Sequence, residues 1–184
     1  MMALLFAAGL LAQQQGGLQD IPIPNHGTLR LAIAGSWTAN AKTINDPPTV
    51  LLHIGPSKGK DFDTSVTIVW LSPANQSTAT PEAIRANTER TGSSLMFQSV
   101  EKTLALQELR GPQSVGTFYA LTDRMPGPGE FKYMTQGSFR TGDVLCAFTI
   151  LSNNSNSADV KQMLRSFTDA TYLKAAEPAP PAKP

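Results

Sequence analysis

Three runs of alternating side chains between Gly116 and Leu151 organise the chain. In the first, Phe118, Ala120 and Thr122 alternate with Tyr119 and Leu121. In the second, Phe131, Tyr133 and Thr135 alternate with Lys132, Met134 and Gln136. In the third, Val144, Cys146, Phe148 and Ile150 alternate with Leu145, Ala147, Thr149 and Leu151. Successive side chains point to opposite faces of a strand, so such runs, separated by Gly/Pro or Gly-Asp breaks, predict an antiparallel meander. The third run is apolar on both faces and is expected to be a central strand covered on both sides.

Upstream, Leu18 to Asn25 alternates prolines with isoleucines and reads as an extended edge or polyproline stretch. Leu29, Leu31 and Ile33 predict a half-buried strand over Thr28 to Ala34. After Trp37 the polar residues Thr38 to Asn45 read as a loop closed by Asp46-Pro47-Pro48. Strands are expected over Val50 to Ile54 and over Ser65 to Leu71, the latter rich in β-branched residues. Thr80-Pro81-Glu82 is a helix start: a hydroxyl for the N-cap, proline at the first turn and a carboxylate at the positive end of the dipole. Ile84, Thr88, Thr91, Leu95 and Met96 continue at helical spacing, although Gly92 weakens the middle, and predict a helix from Pro81 to Gln98. A strand over Thr103 to Leu109 and a Gly111-Pro112 turn lead into the meander. Behind Asn153 to Ser157, the stripe Val160, Met163, Leu164, Phe167 and Ala170 predicts a second helix.

The order is three strands, a helix, four strands, a helix, with no internal repeat. It predicts an α+β fold: a single antiparallel sheet of about six to seven strands with helices on both faces. The domain is expected to span residues 18–173. It would follow a signal-peptide-like or disordered segment, 1–17, and precede an Ala/Pro-rich disordered tail, 174–184. Within the first segment, Ala3 to Ala12 is an apolar run too short for a bilayer but of the length of a signal-peptide core, which points to export.

Charge narrows the functions. The 184 residues carry 15 Lys+Arg against 14 Asp+Glu, a formal net charge of +1, with no basic run. A nucleic-acid partner is therefore not expected. Cys146 is the only cysteine, which excludes an internal disulfide or a multi-cysteine metal site; among apolar neighbours it reads as a buried, inert thiol.

Chemical motifs fail on spacing. Gly55 to Lys60 has three residues between its glycines, where a phosphate loop needs four, and Asp61 follows the lysine. Asp61, Asp63 and Ser65 match the start of a calcium loop, but Val66 replaces its glycine and Ser72 its bidentate glutamate. No Gly-x-Ser-x-Gly elbow exists. His26 falls in a turn that reads as exposed, and His53 is separated from it. The one acid/base pairing to test is His53 with Asp61 or Asp63 across a hairpin, as a small hydrolase or metal-dependent enzyme would use it. No cofactor or metal site is expected.

The segments Gly27 to Trp37, GTLRLAIAGSW, and Gly116 to Asp123, GTFYALTD, with Asp143 to Leu151 and the helix from Ala158 to Tyr172, resemble the PsbP-like fold group. That group includes the photosystem II extrinsic protein PsbP, a nuclear-import Ran-binding protein and DcrB-type bacterial envelope proteins. The resemblance covers about Gly27 to Leu173 and supplies no catalytic motif. It implies an α/β/α sandwich and an accessory, assembly or binding role rather than an enzyme.

The expectation for function is thus a periplasmic or secreted, non-catalytic domain whose partner is another protein. Its contact would be the loop DRMPGPGE. Two prolines and two glycines restrict it, and Asp123, Arg124, Met125 and Glu130 are its candidate partner-binding residues.

Overall fold

The computed structural model describes residues 17–45, 48–56 and 61–175. Strands β1 (Gly17–Ile23), β2 (Gly27–Ile33), β3 (Trp37–Asn45), β4 (Pro48–Pro56) and β5 (Phe62–Trp70) precede helix α1 (Pro81–Leu95). Strands β6 (Gln107–Arg110), β7 (Ser114–Thr122), β8 (Tyr133–Thr141) and β9 (Val144–Ser152) follow, then helix α2 (Ala158–Thr168) and strand β10 (Thr171–Leu173). Short 3-10 turns lie at Pro73–Ala79 and Met96–Gln98. Seven strands form an antiparallel sheet in the order β3-β4-β5-β9-β8-β7-β6. A smaller sheet, β1-β2-β10, packs beside it.

The large sheet, the α+β class and a helix on each face agree with the expectation. Four details differ. The strand containing Leu29, Leu31 and Ile33 belongs to the small sheet, flanked by β1 and β10. The polar stretch after Trp37 is strand β3 rather than a loop, hydrogen-bonded along its length to β4. The strand expected over 103–109 is confined to Gln107–Arg110. The closing helix stops at Thr168 instead of reaching Tyr172, because Thr171–Leu173 turns back to pair with Thr28–Arg30. The expected N-terminal segment and tail lie almost wholly outside the described residues, as do most of the turn from Gly55 to Lys60 and Asp46-Pro47.

One continuous core fills the space between the large sheet, the small sheet and α2. Leu29, Leu31 and Ile33 share a core with Val50, Leu52, Ile54 and Ile68, while Phe167 of α2 stacks on Phe139 at 5.2 Å and packs at a tilt against Phe148 at 4.7 Å. Cys146 is fully buried here, and burial pushes its thiol pKa far above the ordinary value, so it is inert. Helix α1 covers the opposite face, chiefly over β7 and β8. Thr80 caps it, accepting a hydrogen bond from Ala83 N at 3.2 Å. Gly92 allows the helix to sit close: a methyl there would meet Leu104 at 2.8 Å and Tyr119 at 2.9 Å. The middle of α1 is therefore chosen for packing rather than propensity.

Because α1 is narrower than the sheet, the second face of β9 is not covered: Leu145, Thr149 and Leu151 are half-buried and Ala147 is exposed. Apolar side chains on both faces mark a central strand, but they do not say how far the helix layer extends.

Within the core, Thr64 is fully buried and its hydroxyl has no hydrogen-bond partner. Thr64→Val keeps the shape and removes an uncompensated polar group, so the variant is expected to be more stable by about 1 kcal/mol. Urea denaturation with an unchanged m-value would check this; a less stable variant would mean that the hydroxyl is satisfied in solution.

Candidate functional site

The loop from Asp123 to Glu130 sits at the end of the sheet where β7, β8, β9 and the C-terminal end of α1 meet. Its shape is set by its own polar groups. Asp123 Oδ1 accepts from Met125 N at 2.9 Å, and Glu130 Oε2 accepts from Gly127 N at 2.8 Å. The base is closed by Asp123 N donating to Lys132 O at 2.8 Å. A latch then ties the loop to the segment after α1: Arg124 N donates to Gln98 O at 3.0 Å, and the Arg124 guanidinium to Ser99 O at 2.7 Å. Glu101 fastens the other side, accepting from Thr122 N at 2.9 Å, from Thr122 Oγ1 at 2.8 Å and from the Ser99 hydroxyl. Partial burial opposes the Glu101 charge, yet these hydrogen bonds together outweigh it and hold the carboxyl below its ordinary range.

Asp123, Arg124 and Glu130 therefore have structural partners, whereas Met125 has an open side chain, 84% exposed. Flanking the latched Gln98 and Ser99 in the chain are two residues that the alternation and stripe patterns did not single out, Phe97 at 70% and Val100 at 51% exposure. Their signal was in the sequence. Phe97 follows Thr88 by nine residues, roughly two and a half helical turns, and so falls opposite the buried stripe of Ile84 and Thr88. An aromatic side chain on a solvent face is the informative kind of exception. Near the same latch is a cavity of about 180 Å³ whose apolar wall is Leu95, Leu121, Phe131, Met134 and Leu151. The cavity is also lined by Gln98, Ser99 and Asp123 of the latch, so it adjoins the base of the loop.

Across the rest of the open face polar side chains form a continuous row, beside the exposed Leu51 and Ile44. Cross-strand pairing places Asn40, His53, Ser65, Thr149, Gln136 and Tyr119 in a single row over six strands. The hydroxyl of Tyr119 donates to Gln136 Oε1, and Gln136 Nε2 donates to Thr149 Oγ1 at 3.0 Å. Burial under α1 pushes the Tyr119 pKa up to about 12, so the phenol is a permanent donor at neutral pH.

His53 and Asp63 do meet, Nε2 to Oδ1 at 3.0 Å. Asp61 instead accepts from Asn153 Nδ2 at 3.3 Å. The side chains of His53 and Asp63 remain 57% and 32% exposed on the open face, and no described cavity is lined by either. Acid/base catalysis needs a recess that excludes water and places donors around the reacting atom. The pair lacks one. Among the described residues no group of three potential metal ligands comes together. His26 is not an exposed turn residue: its ring stacks on Trp70 at 3.7 Å, and Tyr172 donates its hydroxyl to the His26 carbonyl.

The architecture is that of a PsbP-like fold. The solution structure of cyanobacterial PsbP (CyanoP) from Synechocystis superposes with a TM-score of 0.50 over 92% of this chain and 99% of that one. Identity over the match is 12%, so the likeness is one of fold alone. No family model and no curated protein matches the chain.

Proposed function

We propose that this chain is an exported, non-catalytic accessory domain that docks another protein through the surface around Met125, Phe97 and Val100. One observation carries the reading: exposed large apolar side chains gather beside a rigid, latched loop and an apolar cavity. A preformed loop loses little entropy on docking, so apolar burial there is available for affinity. Asp123, Arg124 and Glu130 serve this surface by holding the loop, and Met125 is its contact residue. Support for a non-catalytic role comes from the exposed setting of His53 and Asp63 and from the PsbP-like fold. Support for export comes from the apolar run Ala3 to Ala12. Among the described residues no helix is long and apolar enough to cross a membrane.

The test is capture from the native envelope fraction by the immobilised full chain, wild type against Phe97→Ser and Met125→Ser. Each apolar anchor is expected to contribute about 2 kcal/mol, so each variant should weaken capture of the same partner about thirtyfold with an unchanged melting temperature. Arg124→Ala should weaken it less, by loosening the loop. Equal capture by both apolar variants would remove this surface from the interface.

A further inference from the structure

Between α1 and the uncovered face of the sheet runs a groove of about 230 Å³, separate in its lining from the apolar cavity near the loop. We propose that this groove is a binding site for an uncharged, polyhydroxylated ligand, a sugar unit of a neutral oligosaccharide. Its lining holds the polar side chains Ser65, Asn87, Gln136, Ser138 and Thr149 among others, and no Asp, Glu, Lys, Arg or His. A charged ligand entering it would give up hydration with no counter-charge in return, which is costly. A neutral polyol would exchange water hydrogen bonds for protein ones.

The groups are also pre-aimed. The Tyr119 hydroxyl, fully buried at the edge of the groove, orients the Gln136 amide, and that amide in turn fixes which way Thr149 can donate. With Nε2 bonded to Thr149 Oγ1, the Thr149 hydrogen must point elsewhere, and Gln136 keeps one N–H and one lone pair free. The hydroxyls of Ser65 and Ser138 form no hydrogen bond with another described residue. The floor thus offers both donors and acceptors, as a vicinal diol requires. The small side chain of Ala147 there leaves the floor low enough for a ring to lie on it. At 230 Å³ the space suits one ring rather than a drug-sized ligand, for which pockets of roughly 300–1,000 Å³ are usual.

The experiment is a titration of the 15N-labelled full chain with maltotriose, cellotriose and N-acetylchitotriose, each to millimolar concentration, with trigalacturonate as the anionic control. The expected result is saturable shifts in the amides of Ser65, Gln136, Ser138 and Thr149 with at least one neutral sugar and none with the anion. Ala147→Leu, at an exposed position on the groove floor, should abolish the response with an unchanged melting temperature. Thr149→Val should weaken it about tenfold, the value of roughly one net hydrogen bond. Absence of saturable shifts with all three neutral sugars would overturn the inference. So would equal affinity in Ala147→Leu, or a preference for the anion. The loop variants Phe97→Ser and Met125→Ser should bind the sugar normally, so this site and the protein-docking surface stand or fall separately.

Discussion

Phe167→Ala is expected to lower the free energy of unfolding by about 3–5 kcal/mol. Phe167 is fully buried, and its ring is the only contribution of α2 to the aromatic trio with Phe139 and Phe148. Those partners are held by neighbouring strands: Phe139 lies opposite Cys146 and Phe148 opposite Gly137, so neither can move inward to refill the space. The loss should therefore sit at the upper end for an aromatic truncation. A domain of ordinary stability has about 5–15 kcal/mol in all, so the variant should be marginal at 37 °C. Phe167→Leu, which keeps most of the volume, should lose markedly less. Urea denaturation of the three proteins would measure both differences. A loss below about 1 kcal/mol for Phe167→Ala would show that the core relaxes around the gap.

Gly111→Ala is the second large effect, expected at about 1–3 kcal/mol or more. Gly111 closes the turn between β6 and β7, donating N–H to Ser114 O at 2.8 Å. A methyl on it would lie 1.8 Å from the carbonyl oxygen of Thr168, the last residue of α2. Backbone cannot rotate away as a side chain can, so the turn or the helix end must shift. Either movement strains the contacts of Ser114 and Thr141 hydroxyls, which both donate to Ala170 O, at 3.1 Å and 3.3 Å. The damage should be local. Hydrogen exchange of amides from Met163 to Tyr172 should accelerate more than that of β4 and β5. Uniform acceleration would instead indicate global unfolding without a specific loosening of α2.

Both effects show where pattern reading succeeds and where it stops. Phe167 falls on the apolar stripe of a helix, so its burial was legible from spacing. Gly111 was legible as a turn residue, but its need for a bare Cα arises from Thr168, fifty-seven residues away in sequence. The candidate surface divides in the same way. The rigid loop was visible in its prolines and glycines. The latch of Arg124 onto Gln98 and Ser99 was not, because the three residues are neighbours only through the pairing of Ser99 with Asp123. That pairing gives Arg124 backbone partners on the segment that carries Phe97 and Val100.

By itself, the sequence determined the elements whose side chains separate cleanly into buried and solvated sets. These are the strand of Leu29 to Ile33, the strand at Ser65, the meander and the two helices with the Thr80 start. Local periodicity reports which face meets water, and that information is carried by each residue alone. Strand β3 escaped because it is an edge whose outer residues are nearly all exposed; with little to bury, it has no alternation to read, and backbone pairing to β4 alone makes it a strand. Tertiary structure alone decided the partition into two sheets, the open half of the face beyond α1 and the polar row from Asn40 to Tyr119. An alternating pattern is identical whichever strand lies beside it, whereas register and layer width depend on residues far apart in the chain.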